Sequence, residues 1–119
     1  MKRKQKKAKI KIIKKPWGQE IWFADSPKYL GKILIVNKGC RLSAQYHAKK
    51  HETMYCESGS CEFELNGKKK VFRKGHAIVI PPGTIHRIYA KYGGVRIFEV
   101  STPHPDDVIR LRDDYGRIK

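Results

Sequence analysis

The stretch that decides the fold is GCRLSAQYHAKKHETMYCESG, residues 39–59, where glycines bracket three polar side chains suited to metal binding. A second stretch, GHAIVIPPGTIH, residues 75–86, has a Pro-Pro-Gly turn and ends on a histidine. The candidate ligands in the two stretches are Gln45, His47, Glu52 and His86. Two imidazoles, a carboxylate and a side-chain amide can together hold one divalent metal ion. The two stretches therefore predict a metal site formed by strands and tight turns.

The spacing within the first stretch supports this interpretation. Gln45 and His47 are two positions apart, so on a strand they face the same side, as does Arg41. A short polar turn, residues 48–51, precedes Glu52, and a hairpin there brings the carboxylate back beside His47. Imidazole and carboxylate ligands suit Zn, Mn, Co, Ni or Fe, so we expect one divalent ion of this group. Incidental placement of these residues is the alternative, and the other histidines are expected to bind nothing: His51, His76 and His104.

Alternating apolar residues between turn signals predict an all-β domain. Asn66-Gly67, flanked by two alternating segments, is a strong hairpin signal. Short strands at regular spacing indicate a sandwich or a barrel. A single turn or a short helix near residues 106–111 is also predicted, with Pro105 at its start. The predicted strands are residues 9–12, 18–23, 29–36, 41–47, 53–56, 60–65, 68–73, 76–80, 84–89 and 95–100.

The two glycine-punctuated stretches resemble the two motifs of the cupin superfamily, and further segments resemble the cupin domain of type II mannose-6-phosphate isomerases. These segments are KPWG at 15–18 with Glu20, RLSAQYH at 41–47, PGTIH at 82–86, and DDVIR at 106–110 followed by DDYGR at 113–117. The resemblance implies a single-domain double-stranded β-helix, a jelly-roll barrel, over residues 9–119. It also implies a metal-dependent aldose–ketose isomerase. Two departures stand out: Gln45 replaces the usual first histidine ligand, and Arg112 occupies a position where the resemblance implies an acidic pocket residue.

Charge is concentrated at the start of the chain. The net charge is +16, and nine of the 27 lysines and arginines lie in the first fifteen positions, which contain no acid. We therefore expect residues 1–8 to form a basic flexible arm. The sequence has no nucleic-acid-binding motif, so we expect no specific nucleic acid partner. A basic surface would instead steer an anionic sugar towards the pocket.

Several residues are candidates for handling such a sugar. Arg41 shares the face of the predicted ligands and can bind a phosphate or carboxylate through two nitrogens. Glu99 is a carboxylate on an otherwise apolar strand face, which makes it a candidate general base. The resemblance places Arg110 and Arg117 at the pocket rim, where Arg110 is a candidate catalytic residue and Arg117 a candidate substrate-binding residue. For Arg41 and Glu99, a structural ion pair is the alternative in each case.

Two functional classes remain open. The first is a sugar-phosphate isomerase of the mannose-6-phosphate type; the second is a non-catalytic cupin module that binds metal and a sugar. An iron oxygenase is a third possibility, which the resemblance disfavours. No apolar run approaches the roughly 20 residues that span a bilayer, so we expect a cytoplasmic protein without membrane contact. Residues 9–13 form a candidate exposed edge strand, which favours a homodimer.

Overall fold

A computed structural model describes residues 6–118 and shows an all-β protein. Most strands coincide with a segment of alternating or apolar residues between turn signals, as expected for a pleated surface with one buried side. The strands are β1 (Lys11–Lys15), β2 (Gly18–Asp25), β3 (Leu30–Val36), β4 (Ala44–Tyr46), β5 (Glu52–Ser58), β6 (Ser60–Leu65), β7 (Lys68–Arg73), β8 (Ala77–Ile80), β9 (His86–Tyr89), β10 (Val95–Ser101) and β11 (Ile109–Arg112).

The strands form two antiparallel sheets that face each other. The six-stranded sheet has the order β1-β2-β3-β10-β5-β8, and the five-stranded sheet has the order β11-β4-β9-β6-β7. Chain neighbours such as β3 and β4 lie in different sheets, so the chain crosses repeatedly between the two layers. This arrangement confirms the predicted double-stranded β-helix.

Residues 106–111 do not form the short helix that was one of the two predicted alternatives; a turn lies at residues 105–106 and a strand follows it. Residues 109–112 form β11, which pairs with β4 and brings Arg110 opposite Gln45. A single helical turn is marginal by itself, because nucleating a helix fixes several dihedral angles for one hydrogen bond. The open edge of β4 offers backbone partners instead, and the segment pairs there.

The Asn66-Gly67 hairpin is present as predicted. Asn66 has φ of 48° and Gly67 has φ of 82°, the left-handed values that a two-residue hairpin turn requires. At the other end of the chain, β1 begins at Lys11 rather than residue 9. Of the predicted arm, residues 1–5 lie outside the described part of the chain, and residues 6–8 carry no strand.

The core fills the space between the inner faces of the sheets. Its largest fully buried side chains include Trp17, Phe63, Phe72 and Ile97. Cys56 and Cys61 are buried in the same cluster as free thiols, and burial raises the pKa of Cys61 to about 12. Within residues 6–118 there is no helix with the length and apolar character needed to cross a membrane.

Candidate metal centre

Three buried side chains converge where the ends of three strands meet. Glu52 is the first residue of β5, His86 is the first of β9, and His47 directly follows β4. Glu52 Oε1 lies 3.3 Å from His47 Nε2 and 3.2 Å from His86 Nε2. The three residues are at most 4% exposed, and their ligand atoms all lie within 4.8 Å of one another. The sequence therefore places a carboxylate and two imidazoles around one point.

Hydrogen bonds on the far side of each ring orient the two imidazoles. His47 Nδ1 donates to the carbonyl of Asp107, and His86 Nδ1 donates to the carbonyl of Thr84 at 3.0 Å. A carbonyl can only accept, so each Nδ1 carries a proton, and in a neutral ring Nε2 then presents a lone pair. This is the second-layer support that metal-binding histidines usually receive.

These atoms fit a metal ion because the described residues leave them without a partner. His47 Nε2, His86 Nε2 and Glu52 Oε1 are buried and have no hydrogen-bonding partner among residues 6–118, whereas Glu52 Oε2 lies 3.1 Å from Lys50 Nζ. Glu52 Oε1 faces the two Nε2 atoms at 3.3 and 3.2 Å, and lone pairs this close need a cation or a proton between them. Zinc ligands at about 2.0–2.1 Å in a tetrahedral arrangement stand about 3.3 Å apart, which matches these distances.

The predicted fourth ligand, Gln45, lies beside the trio. Its Cα pairs with that of His86 across β4 and β9, and its side chain lines the same cavity. Ser43 Oγ donates to Gln45 Oε1 at 2.6 Å, which leaves that oxygen one further lone pair. A ligand role for Gln45 therefore stays a prediction, with an arrangement that permits it.

Lys50 is an unexpected member of the site. The sequence predicts a short polar turn at residues 48–51 and gives Lys50 no role, but Lys50 is only 4% exposed. Its Nζ lies 3.1 Å from Glu52 Oε2 and 3.0 Å from Glu99 Oε2. Lys50 and Glu52 are two residues apart in extended chain, so they share a face, and this spacing was the signal that could have revealed it.

The electrostatics of Glu52 favour its ionised form. Burial by itself would raise the pKa of this carboxyl group, but contacts with His47 and His86 and the charge of Lys50 outweigh burial and lower the pKa. The carboxylate is therefore negative over the whole physiological pH range, as a metal ligand must be.

Glu99 lies next to this centre, in the middle of β10. It is 4% exposed and bonded to Lys50, while Lys32 is its cross-strand neighbour on β3. Burial raises the pKa of Glu99, the negative charge of Glu52 adds to that rise, and the two lysines partly oppose it. A basic carboxylate of this kind is suited to proton transfer.

Asp107 holds the loop that carries His47 and Lys50, a role that the sequence analysis did not assign to it. Its carboxylate accepts hydrogen bonds from the backbone N–H groups of Ala48, Lys49 and Lys50. Those bonds, chiefly the one from Lys49, lower the pKa of Asp107. One residue therefore fixes both the loop, through its side chain, and the His47 ring, through its carbonyl.

A cavity of about 280 Å³ opens onto the centre. Trp17, Leu34 and Met54 supply part of its apolar lining, and Glu99 reaches it from β10. Its positively charged lining residues come from both sheets and the C-terminal segment. They are Lys11, Lys15, Lys32, Lys50, Arg110 and Arg117. A polar site over an apolar floor with converging charged groups is typical of a small-molecule pocket.

The structure brings Arg110 and Arg117 to this cavity, as the resemblance implied. Arg110 lies on β11, and its buried Nε has no hydrogen-bonding partner among the residues that the structure describes. Arg117 is held by Asp113, whose carboxylate accepts bonds from both Nε and a terminal nitrogen of its guanidinium. Arg110 is thus the more available cation of the two.

Arg41 does not reach the cavity, contrary to the interpretation from strand alternation. Its guanidinium binds the carboxylate of Asp114 at 2.7 and 2.9 Å on the outer side of the five-stranded sheet. The reason is that β4 begins only at Ala44, so the alternation of that strand does not extend back to residue 41. The structural ion pair, the alternative for Arg41, is what the fold contains.

Arg112 also faces away from the metal centre. Its side chain is 63% exposed and donates to Glu64 at 2.9 Å. The register between β11 and β4 shifts between Arg110 and Arg112, which turns the two side chains differently. The exchange of an acidic for a basic residue at position 112 therefore leaves the cavity unchanged.

Solved structures share this architecture. KdgF from a Halomonas species superposes with a TM-score of 0.70 at 24% identity, over 78% of this chain and 84% of that one. A Klebsiella pneumoniae protein described as having a double-stranded β-helix domain gives a TM-score of 0.69 at 15% identity, covering 77% of this chain and 82% of that one. The fold is therefore that of the cupin class, with a possible metal site at its open end.

The sequence comparison defines the family within that class. The chain belongs to the family described as mannose-6-phosphate isomerase C-terminal, which matches residues 2–113. Among curated relatives, the mannose-1-phosphate guanylyltransferase ManC of Salmonella typhimurium is 27% identical over 110 residues, which cover 89% of this chain. The match spans 23% of that relative's length, so the chain corresponds to about a quarter of it.

Proposed function

We propose that this chain is a metal-dependent isomerase of anionic sugars, with the interconversion of mannose 6-phosphate and fructose 6-phosphate as the reference reaction. The observation that carries the proposal is the position of Glu99, a buried carboxylate that shares Lys50 with the candidate ligand Glu52. A general base beside, but not on, a cationic centre is what aldose–ketose exchange requires.

The chemistry assigns one role to each group. When bound by His47, Glu52 and His86, the metal ion supplies a positive charge that polarises a substrate oxygen. Glu99 takes the proton from carbon 2 of the aldose and returns it to carbon 1. The hydroxyl proton moves from oxygen 2 to oxygen 1, so no atom is gained or lost.

The anionic group of the sugar is bound by the basic residues that line the cavity. Arg110 is the leading candidate because it lines the cavity and because its buried Nε has no hydrogen-bonding partner among residues 6–118. Arg117 is fixed by Asp113 and presents one defined orientation. We place this activity in the cytoplasm, where the free thiols Cys40, Cys56 and Cys61 stay reduced.

A non-catalytic module that binds metal and sugar is the second candidate. The observation in its favour is the ion pair between Lys50 and Glu99 at 3.0 Å, which occupies the proposed base. The chain also matches only a part of its longer curated relatives. In this case the cavity would bind the same anionic sugars without exchanging their protons.

Proton exchange separates the two candidates. Metal-loaded protein is incubated with mannose 6-phosphate or fructose 6-phosphate in heavy water, and proton NMR follows deuterium uptake at the carbon beside the carbonyl. We expect exchange that falls about a hundredfold in Glu99→Gln, the usual scale for losing a general base. Glu57→Gln is the matched control, since Glu57 pairs with Arg96 on the outer surface.

Each result has a defined meaning. Absence of exchange in the metal-loaded protein, for hexose and pentose phosphates alike, refutes the isomerase. If calorimetry still shows binding of these sugars, the non-catalytic module is supported. Equal exchange in wild type and Glu99→Gln means that another group is the base.

A further inference from the structure

A second buried lysine, Lys32, lies beside the proposed base. It belongs to β3, is 5% exposed and lines the cavity. Glu99 is its cross-strand neighbour on β10. The proposed reaction gives Lys32 no role, although a buried ammonium group is costly unless hydrogen bonds satisfy it.

The ammonium group of Lys32 has fewer partners than that of Lys50. Lys50 Nζ lies 3.1 and 3.0 Å from two carboxylates. Lys32 Nζ lies 3.6 Å from Glu20 Oε1, which is longer than a charge-assisted hydrogen bond. That oxygen already accepts the indole N–H of Trp22 at 2.9 Å. Among residues 6–118, Lys32 Nζ therefore has no hydrogen-bonding partner, and its three N–H donors are available to a molecule in the cavity.

The surroundings of Lys32 hold its ammonium group in a defined position. Nζ lies 4.4 Å from the centre of the Trp22 ring, within cation–π range. The hydrogen bond from Trp22 to Glu20 fixes that ring in turn. Lys32 is thus ordered before a ligand arrives, so binding costs little further side-chain entropy.

The charges around Lys32 favour a neutral oxygen as its ligand. Glu20 contacts its ammonium group from one side, and Glu99 is its neighbour on the other side. A phosphate group would bring further negative charge beside these two carboxylates, which is unfavourable. A sugar hydroxyl accepts a hydrogen bond from an ammonium group without adding charge.

The strand order indicates which part of a sugar Lys32 would meet. β10 lies between β3 and β5, so Glu99 stands between Lys32 and the strand that carries the candidate ligand Glu52. In the proposed reaction, carbons 1 and 2 lie at Glu99 and the metal centre. Carbons 3 and 4 are the next carbons with hydroxyl groups, and Lys32 is the next hydrogen-bond donor beyond Glu99 on this sheet.

We infer that Lys32 is a substrate-binding residue, which donates a hydrogen bond to the hydroxyl group on carbon 3 or carbon 4 of the sugar. The inference rests on the proposed function, because it concerns the substrate of the same cavity. This bond fixes the rotation of the sugar chain beside the reacting carbons, so that the hydrogen on carbon 2 of the aldose points at Glu99.

The test removes the donor and the acceptor of this bond one at a time. Calorimetric affinities of fructose 6-phosphate and of its 3-deoxy and 4-deoxy analogues are measured for metal-loaded wild type, Lys32→Met and Lys14→Met. Lys14 is the matched control, because it does not line the cavity and donates to Gln19 instead. We expect Lys32→Met to weaken fructose 6-phosphate at least tenfold, the usual scale for a hydrogen bond to a charged group. Lys14→Met should leave its affinity unchanged.

The combination of variant and analogue decides the inference. One of the two deoxy analogues should bind wild type at least tenfold more weakly than fructose 6-phosphate, and Lys32→Met should bind that analogue and fructose 6-phosphate equally, because the bond is already absent. If Lys32→Met does not fold, Lys32→Gln is compared in the same way. Full affinity of wild type for both analogues overturns the inference and leaves the isomerase proposal intact. So does an equal loss for all three sugars in the variant, which a merely structural role would produce. Failure of fructose 6-phosphate to bind wild type overturns the proposed function and this inference with it.

Discussion

Lys50 forms an ion pair with one oxygen of the Glu52 carboxylate and leaves the other oxygen facing the two histidines. Lys50 Nζ lies 3.1 Å from Oε2, while Oε1 faces the two histidine Nε2 atoms at 3.2 and 3.3 Å. One oxygen is therefore held by a fixed positive charge and the other is directed at the candidate metal position. The same ammonium group binds Glu99, so a single lysine links the metal centre to the proposed base.

Removing that lysine should destabilise the metal-free protein more than the metal-loaded one. Lys50→Met leaves Glu52 and Glu99 as buried negative charges, a change that costs about 3–5 kcal/mol when one partner of a buried pair is lost. A bound divalent cation offsets part of this charge. Urea denaturation with chelator and with excess zinc should show a larger zinc-induced gain in Lys50→Met than in wild type. The exposed neighbour Lys49→Met should behave as wild type, and an equal zinc gain in all three proteins would contradict the prediction.

The metal content itself is a direct prediction. Elemental analysis of protein prepared without chelator should find one divalent ion per chain. The double variant His47→Ala, His86→Ala should lose it, and Gln45→Leu should weaken it if the amide is the fourth ligand. His51→Ala is the control, since His51 is exposed and outside the trio. A metal content near zero that is not restored by incubation with divalent metal salts would refute the predicted metal site.

Acid should remove the stabilisation contributed by Asp113. Its hydrogen bonds with Arg117 lower the pKa of this carboxyl to about 2, against about 3.9 in an unfolded chain. Because the folded pKa is depressed, the contribution is complete above about pH 4 and is lost as the pH falls towards 2. Denaturation of chelated protein should show Asp113→Asn less stable than wild type at pH 6, with a gap that closes below pH 4. The surface variant Asp25→Asn serves as the control, and a gap that is as large at pH 2.5 as at pH 6 argues against this role.

We propose that the protein is a homodimer, with β1 at the contact. The segment predicted at residues 9–13 forms the edge strand Lys11–Lys15, paired on one side by β2. Ile12 is 57% exposed on that strand. Light scattering at micromolar concentration should give the mass of two chains, and Ile12→Lys should lower it, because a charge on an edge strand opposes pairing. Val71→Lys, on β7 of the other sheet, should not change the mass. A one-chain mass for wild type refutes the dimer.

Removing residues 1–8 should leave the metal site and the fold intact. The described strands begin at Lys11, and the candidate ligands lie on β4, β5 and β9 or directly beside them. The truncated protein should keep its metal content and its melting temperature, while its binding to heparin at low salt weakens. Loss of metal binding on truncation would show that the arm takes part in the site.

Local signals predicted most of the strands because strand formation here depends on neighbouring residues. Alternation located β6 and β7, and Asn66-Gly67 defined their turn, since few residues tolerate positive φ. Where the local signal was weak, the prediction was wrong. Residues 106–111 resembled the start of a helix, and only the free edge of β4 makes part of that segment a strand.

The direction of single side chains was the other point of failure. Arg41 was assigned to the cavity by counting alternate residues, yet the strand starts three residues later and its side chain points outwards. Lys50 was placed in a polar turn and given no role in the site, yet two buried carboxylates hold it inside. Arg41 pairs with Asp114 and Lys50 pairs with Glu99, partners distant in sequence that no local pattern records; only the spacing of Lys50 and Glu52 was a local signal.

By itself, the sequence determined most of the strands, the turns and the identity of the candidate metal ligands His47, Glu52 and His86. These depend on backbone preferences and on spacings of a few residues. Only the tertiary structure decided that Glu52 meets His86, that Lys50 lies between two carboxylates and that Lys11 faces the cavity. The physical reason is that a buried charge is tolerated only where partners from other strands supply its hydrogen bonds and opposite charge. Those partners become neighbours only when the two sheets close.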